Sequence, residues 1–334
     1  MRPPDDAPHK NEPRQKEESY TDFVRRLSTL SVRKCYRAYD EIDWDNPEYV
    51  LRGDDPRLRP DPNNALAQTD WYRSLSPAEQ SRFGLAWTAQ TLKYGISFEN
   101  VLSRGLLEFA RTKPNGSPEH RYALHEVIEE SHHSLMFQEF INRAGTDPHG
   151  ITAFEAFMDR RLVALGGSFP EFFMLCVLAG EVFIDADNRA SLARGADIHP
   201  LFRRVTQIHV TEEARHVGFA KRFLEQHLPA LSAPRREFIA WGVPFVVMDS
   251  QRKLLQPSPA LARQFAIPKA ALVHAFGLGT AYRTAVERVG APLRRLLEDN
   301  RMLGARHLRH WRRLGVATSQ TRLRSSTDPA ALTA

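Results

Sequence analysis

The chain has 334 residues, of which 42% are hydrophobic and 26% are charged, and its formal net charge is +6. This balance is typical of globular proteins and excludes a largely disordered chain. Its two cysteines, Cys35 and Cys176, are too few for a disulfide framework, and the first residues carry no apolar signal core, so we expect a cytoplasmic protein.

Two features could suggest a nucleic-acid or membrane partner. Seven arginines lie between Arg294 and Arg313, but no stacking aromatics or base-reading motif accompany them, so we interpret them as a solvated helical face. The most hydrophobic stretch, 162–184, is interrupted by two glycines, a proline and two glutamates, which favours a buried helix over a membrane span. We therefore expect neither partner.

Apolar residues recur at helical spacing through most of the sequence after Tyr20, and strand signals are nearly absent. The sequence thus predicts an all-α protein with one helical domain over 20–316, a disordered arm over 1–19 and a disordered tail over 317–334. Residues 45–76, rich in Pro, Asp and Asn, are predicted to form a long surface loop. The predicted helices cover Tyr20–Tyr39, Ser81–Thr112, Pro118–Ala144, Thr152–Leu165, Pro170–Arg194, His199–His227, Pro234–Leu255 and a C-terminal group over Lys269–Leu314.

Two Glu-x-x-His pairs stand out, Glu130 with His133 and Glu213 with His216. Residues three apart share one face of a helix, and both faces continue through apolar residues. A buried carboxylate without a partner is costly, so both pairs are candidate metal ligands. The overlapping pair Glu129 and His132 lies on a face that we expect to be partly wet.

Three more residues complete the pattern. His209 lies four residues before Glu213 on the same stripe, and Glu99 and Glu181 are each isolated acids on apolar faces of the preceding helices. A carboxylate-bridged two-metal site in a four-helix bundle takes one Glu from each of two helices and a Glu-x-x-His from each of the others. The separations match, since 130 − 99 is 31 residues and 213 − 181 is 32, which predicts two pseudo-equivalent halves.

Ligand type indicates which metal would bind. Oxygen-rich sites with imidazole and without thiolate suit iron or manganese better than zinc or copper. The charge of four carboxylates balances two ferrous ions, so the reduced site would be neutral while buried.

These residues resemble the diiron N-oxygenases of antibiotic biosynthesis, which oxidise aryl amines to nitro groups. The resemblance runs from about Phe83 to Leu228 and is carried by "FEN" at Glu99, "EESHH" from Glu129, "AGE" at Glu181 and "IHVTEEARH" from Ile208. It implies a ferritin-like bundle with extra N- and C-terminal helices. It also implies two iron ions with these ligands: Glu99, Glu130, His133, Glu181, His209, Glu213 and His216.

The run "EEARH" also resembles bacterial multicomponent monooxygenases, in which the acid before the ligand hydrogen-bonds a coordinating histidine. This makes Glu212 and Glu129 candidates for acids that support the histidines, with a solvent-facing acid as the alternative for each. Asp185, one turn after Glu181, has a similar status.

The resemblance predicts an oxygenase that uses O2 and an external electron donor to oxidise a small amine to hydroxylamine, nitroso or nitro products through a peroxo intermediate. The alternative is a hydroxylase or desaturase acting on a small or carrier-bound substrate. An iron-storage role is disfavoured because this chain is twice the length of a usual ferroxidase bundle, and a tyrosyl-radical role because Phe137 follows His133 by one turn. The large helical surface makes us expect a homodimer.

Overall fold

The computed structural model describes residues 18–277 and 280–323. No strand occurs in these two ranges, which confirms the all-α prediction. The helices are α1 Tyr20–Arg33, α2 Asp70–Ser74, α3 Pro77–Arg111, α4 Pro118–Ala144, α5 Ala153–Ser168, α6 Pro170–Ala193, α7 Pro200–His227, α8 Ala233–Leu255, α9 Pro259–Gln264, α10 Lys269–Phe276, α11 Ala281–Asp299 and α12 Ala305–Arg313. Short 3₁₀ helices lie at Pro47–Tyr49, Pro56–Leu58, Gly195–Asp197 and Leu228–Ala230.

Four long helices form the central bundle. Helix α3 packs along α4, helix α6 packs along α7, and the two pairs meet through contacts of α4 with α7 and of α3 with α6. The remaining helices cover this bundle: α1 packs on α4 and α7, α5 on α3, α8 on α6, and α12 on α8. The predicted ferritin-like bundle with extra terminal helices is thus confirmed.

Local signals in the sequence start and stop the bundle helices. Ser76 caps α3 in a capping box with Glu79, and Pro77 occupies the first turn. Ser117 caps α4, which ends at Gly145 in the left-handed conformation, with a φ of 62°. These caps fix where each helix begins and ends along the chain.

The apolar core lies on both sides of a polar layer. Along α4, the buried Tyr122 belongs to one apolar cluster and Phe140 to another, with buried Glu and His residues between them. Along α7 the order is reversed, from Val205 in the second cluster to Phe219 in the first. The charged residues of both helices are therefore enclosed between two hydrophobic regions.

Several elements differ from those that the sequence predicts. Helix α3 begins at Pro77 and not at Ser81, α5 ends at Ser168 and not at Leu165, and the sequence does not predict α9. Helix α1 ends at Arg33 and not at Tyr39. The predicted surface loop over 45–76 contains α2 and two 3₁₀ helices, and it buries Leu58 and Leu66. The C-terminal helical group is divided into α10, α11 and α12.

The predicted ends of the chain are only partly within the described ranges. Ala317 and Thr321, which the sequence assigns to the tail, are buried. The rest of that tail, 324–334, and the predicted arm apart from Glu18 and Ser19 lie outside the described residues. Within the described part of the chain, no helix is both long and apolar enough to cross a membrane.

Candidate metal centre

The four bundle helices bring the seven predicted ligands into one buried cluster. Helix α3 supplies Glu99, α4 supplies Glu130 and His133, α6 supplies Glu181, and α7 supplies His209, Glu213 and His216. None of the seven side chains is more than 1% exposed. Charged groups are almost never fully buried without partners, so this layer of the bundle requires a specific electrostatic explanation.

One half of the cluster consists of Glu99, His133, His209 and Glu213. One potential ligand atom from each lies within 4.8 Å of the others. His209 Nε2 is 3.3 Å from Glu99 Oε1 and 3.4 Å from Glu213 Oε1, and His133 Nδ1 is 3.3 Å from that same Glu213 oxygen. Two carboxylates and two imidazoles therefore converge on a volume that one cation could occupy.

The other half contains Glu130, His216 and Glu126, again with one potential ligand atom from each within 4.8 Å. His216 Nδ1 is 2.7 Å from Glu130 Oε1. Glu181 is buried beside this half. Burial is the largest cause that raises the pKa of Glu181, and the nearby carboxyls of Glu213 and Glu130 raise it further. Each half thus contains at least two carboxylates and one imidazole.

A second layer of acids supports the histidines across the bundle. Glu212 Oε2 on α7 is 3.0 Å from His133 Nε2 on α4, and Glu129 Oε2 on α4 is 2.7 Å from His216 Nε2 on α7. Arg215 donates to Glu129 at 2.8 Å and lies between the two acids, 3.4 Å from Glu212. Glu129 itself is buried at 1% exposure, while the rest of its face is partly exposed as predicted, with His125, His132 and Glu139 half-buried.

These crossed contacts determine which ring nitrogen can bind a metal. A carboxylate oxygen only accepts hydrogen bonds, so the Nε2 of His133 and of His216 carries a hydrogen and donates it to an acid. The Nδ1 of each ring points into the cluster, 2.8 Å from a Glu130 oxygen in His133 and 2.7 Å in His216, so Nδ1 is the nitrogen that a metal ion would bind in place of a proton. This pairing of a carboxylate with a histidine is the usual way proteins orient imidazole ligands.

The segment after α1 closes this second layer. Tyr36 N–H donates to Glu212 Oε1 at 3.1 Å, Ala38 N–H donates to His132 Nδ1 at 3.4 Å, and Arg215 donates to the Lys34 carbonyl at 3.2 Å. These bonds use backbone groups that a continued helix would pair internally. They explain why α1 stops at Arg33 although the sequence beyond it has a helical pattern.

Asp185, the third acid that the sequence proposed as a support for the histidines, does not contact one of them. Asp185 pairs with Arg189 one turn later on α6, at 2.7 Å, and both side chains are partly exposed. The residue of this helix that contacts a histidine is Asn188, whose Nδ2 is 3.2 Å from His209 Nδ1. Asn188, and not Asp185, therefore supports a histidine from α6.

Burial and the neighbouring charged groups strongly shift the pKa values of the residues in the cluster. Burial raises the pKa of Glu99 well above its usual range, and the neighbouring Glu130, Glu181 and Glu213 carboxyls add to the effect. Burial opposes ionisation of Glu130 as well, but His216 and His133 lower its pKa to about 2. Burial also lowers the pKa of His209 to about 4, so this ring is neutral at pH 7 and can act as a ligand.

The residues present fit a pair of cations. The unpaired atoms in the cluster are all carboxyl oxygens, which is unusual for a protein interior. A hydrophobic or neutral polar group could not satisfy so many converging acceptors, whereas oxygen and imidazole donors are what iron and manganese ions bind. The oxygens without a hydrogen-bond partner include Glu99 Oε2, Glu126 Oε2 and both oxygens of Glu181.

Sequence reasoning missed Glu126. This side chain is buried at 1% exposure, and the sequence carries a signal for it: Glu126 precedes Glu130 by four residues, as His209 precedes Glu213.

A cavity leads from the surface to one side of the cluster. Its outer part has a volume of about 290 Å³ and lies between the segment after the Pro56–Leu58 turn, α3, α6 and α11. A smaller inner space of about 40 Å³ is lined by Glu99, Phe137 and His209. Thr91, Asp187, Phe202 and Leu254 line both spaces, so the two spaces adjoin each other.

Comparison with known proteins identifies the family of the chain. A 37% identical protein of Mycobacterium tuberculosis (strain CDC 1551 / Oshkosh) matches over 250 residues, 75% of this chain and 74% of its own length, and a 36% identical protein of Mycobacterium bovis covers the same shares; both are described as uncharacterized. No solved structure matches the chain. The family model described as p-aminobenzoate N-oxygenase AurF matches residues 17–301. The chain therefore belongs to the AurF family of p-aminobenzoate N-oxygenases.

Proposed function

We propose that this protein is a diiron oxygenase that uses O2 to oxidise a small amine, of the aryl amine class, to hydroxylamine, nitroso or nitro products. The observation that carries the proposal is the buried cluster of Glu99, His133, His209 and Glu213 beside Glu130 and His216, at the inner end of a cavity. Membership of an N-oxygenase family supports the same reaction.

The predicted ligands divide between two iron ions according to the two halves of the cluster. Glu99, His133, His209 and Glu213 would hold one ion, and Glu130 and His216 would hold the other together with Glu181. When bound, the two ions would supply the electrons that reduce O2 and the positive charge that holds it. The protein's own residues supply orientation: Glu212 and Glu129 fix the imidazoles, and Arg215 limits the repulsion between these acids.

The cavity favours a small substrate that approaches from the His209 side. Phe137 stands against His209, with ring centroids 5.2 Å apart, and gives the inner space an apolar wall that excludes water from the reacting amine. Asp187, which lines both spaces, can accept a hydrogen bond from the amine, and Arg59 on the outer wall has a buried Nε without a partner. An aryl amine with an acidic group at its far end would satisfy both side chains.

The proposal is tested by a product assay. Protein reconstituted with ferrous iron, reduced and exposed to O2 is incubated with a panel of aryl amines with and without a carboxyl group, and products are identified by mass spectrometry. We expect oxygen incorporation on nitrogen, with label from ¹⁸O2. Incorporation on carbon, or loss of two hydrogens without oxygen, would replace the proposal with the hydroxylase or desaturase alternative.

Two variants provide the control. Glu130→Ala and Glu213→Ala each remove a carboxylate near the centre of the cluster, so we expect largely helical proteins that hold little iron and form no product. Full iron occupancy in both variants would contradict the assignment of these carboxylates. An external electron donor and a homodimer are part of this proposal.

A further inference from the structure

Glu126 is a buried acid for which the seven predicted ligands leave no role. It lies on α4 one turn before Glu130, is 1% exposed, and its Oε2 has no hydrogen-bond partner. A carboxyl oxygen lies within 4.8 Å of ligand atoms of both Glu130 and His216. A buried acceptor without a donor costs about 1–3 kcal/mol, so this position requires a compensating interaction.

The pseudo-twofold arrangement of the bundle assigns Glu126 a counterpart. When α3 is matched with α6 and α4 with α7, Glu99 corresponds to Glu181, His133 to His216, and Glu213 to Glu130. In the same matching, His209, four residues before Glu213, corresponds to Glu126, four residues before Glu130. The two groups of converging ligand atoms, found from distances alone, follow this relation residue by residue, except that Glu181 lies beside the second group.

We propose that Glu126 is an eighth ligand of the centre, binding through its carboxylate the metal ion that Glu130 and His216 hold, as the counterpart of His209. The inference rests on the proposed function only in requiring a two-metal centre, not in the reaction. The centre would then have two unequal halves.

The difference in ligands between the two halves of the centre has a chemical consequence. The half with His209 has two imidazoles and faces the cavity, whereas the half with Glu126 replaces one imidazole by a carboxylate and is not among the residues that line the cavity. Carboxylate is the harder and more strongly charged donor, so the Glu126 half should bind its ion more tightly and favour the ferric state. The ion on the His209 side is then the one open to O2 and substrate.

The test is anaerobic titration of the full-length protein with ⁵⁷Fe²⁺, followed by iron analysis and Mössbauer spectroscopy. Glu126→Gln keeps the shape of the side chain and removes its charge, so we expect one of the two iron equivalents to bind at least ~10-fold more weakly. We also expect only one of two quadrupole doublets to change. Glu126→His, which reproduces the His209 arrangement, should restore the second equivalent.

The control is Glu139→Gln on the same helix, which makes the same change at an acid paired with Arg143 away from the cluster. It should bind two irons as the wild type does. Wild-type affinities and doublets in Glu126→Gln would overturn the ligand role and leave the proposed function standing. Loss of one iron in Glu126→Gln, with a wild type that oxidises carbon and not nitrogen, would support the ligand role and remove the proposed function.

Discussion

At the scale of single residues, both ring nitrogens of each Glu-x-x-His histidine are used. His133 presents Nδ1 to the cluster and Nε2 to Glu212, and His216 does the same with Glu129. Each supporting acid comes from the helix opposite its histidine. This crossing links α4 to α7 through the buried layer and fixes the tautomer that leaves Nδ1 free for a metal.

A first prediction concerns Glu212. Glu212→Gln keeps the size of the side chain but provides a weaker acceptor for His133 Nε2, so the imidazole should lose orientation and basicity. We expect iron affinity to fall by roughly 10- to 100-fold. Iron binding under anaerobic conditions measures the effect, and Glu139→Gln, an acid paired with Arg143 away from the cluster, is the matched control. Equal affinities in the two variants would show that the Glu212 contact does not support the centre.

A second prediction separates two roles of His209. If His209 binds iron, His209→Ala should keep much of the metal through the remaining ligands but lower turnover per bound iron by about 10-fold or more. A histidine that only fills the core would lower the melting temperature and leave turnover per iron unchanged. The quantity to measure is therefore product formed per bound iron, together with the optical spectrum after O2 is added. An unchanged ratio and spectrum would refute the ligand role.

At the scale of helices, glycines set how closely the two halves of the bundle approach. Gly180 on α6 precedes Glu181, and a Cβ added there would lie 2.4 Å from the ring of Phe98, the neighbour of Glu99 on α3. Gly218 on α7 follows His216 by two residues, and its added Cβ would lie 3.6 Å from Phe23, an ordinary contact. The absence of a side chain at Gly180 therefore allows α6 to pack this closely against α3.

A third prediction follows from this pair of glycines. Gly180→Ala should force Phe98 and α3 to shift, with a loss of roughly 1–3 kcal/mol in the free energy of unfolding of the metal-free protein. Gly218→Ala should instead be neutral or stabilising by about 0.5–1 kcal/mol, because alanine favours the helix and has room. Urea denaturation compares the two variants. A neutral Gly180→Ala would mean that Phe98 moves aside freely.

At the scale of the whole molecule, the cluster couples protein stability to pH and to metal. Burial raises the pKa of Glu99 and Glu181 well above their usual range and that of Glu126 to about 8. Burial opposes protonation of His133 and His216, yet adjacent carboxylates, Glu130 first, raise the pKa of both rings. Between about pH 8 and 6.5 the metal-free folded chain therefore holds more protons than the unfolded chain.

A fourth prediction gives the sign of this coupling. Because the folded state binds more protons in that window, the metal-free protein should become more stable as the pH falls from 8 to 6.5. Metal ions bind the deprotonated ligands, so the stabilisation by ferrous iron should be largest at pH 8 and smaller at pH 6.5. Melting temperatures with and without iron under anaerobic conditions at both pH values check this. A stabilisation by iron that does not depend on pH would contradict the proton count.

The same cluster shows how much of the site can be predicted from the sequence. The spacing of Glu130 with His133, and of His209 with Glu213 and His216, places each set on one helical face, and apolar neighbours on that face indicate burial. Glu99 and Glu181 are recognisable as isolated acids on apolar helices. All seven residues are buried on bundle helices in the structure, and this could be predicted because helix periodicity and burial are local properties of the sequence.

Only the tertiary structure decided which residues meet across helices. The pairing of Glu129 with His216 and of Glu212 with His133, the end of α1 at Arg33, and the position of Asn188 against His209 depend on the axial register of neighbouring helices. The cavity beside His209 likewise depends on where α6 and α11 and the segment before α3 pack. Spacing along one helix fixes the direction of a side chain, but the partner from another helix is fixed only when the packed core sets the distance and register between them.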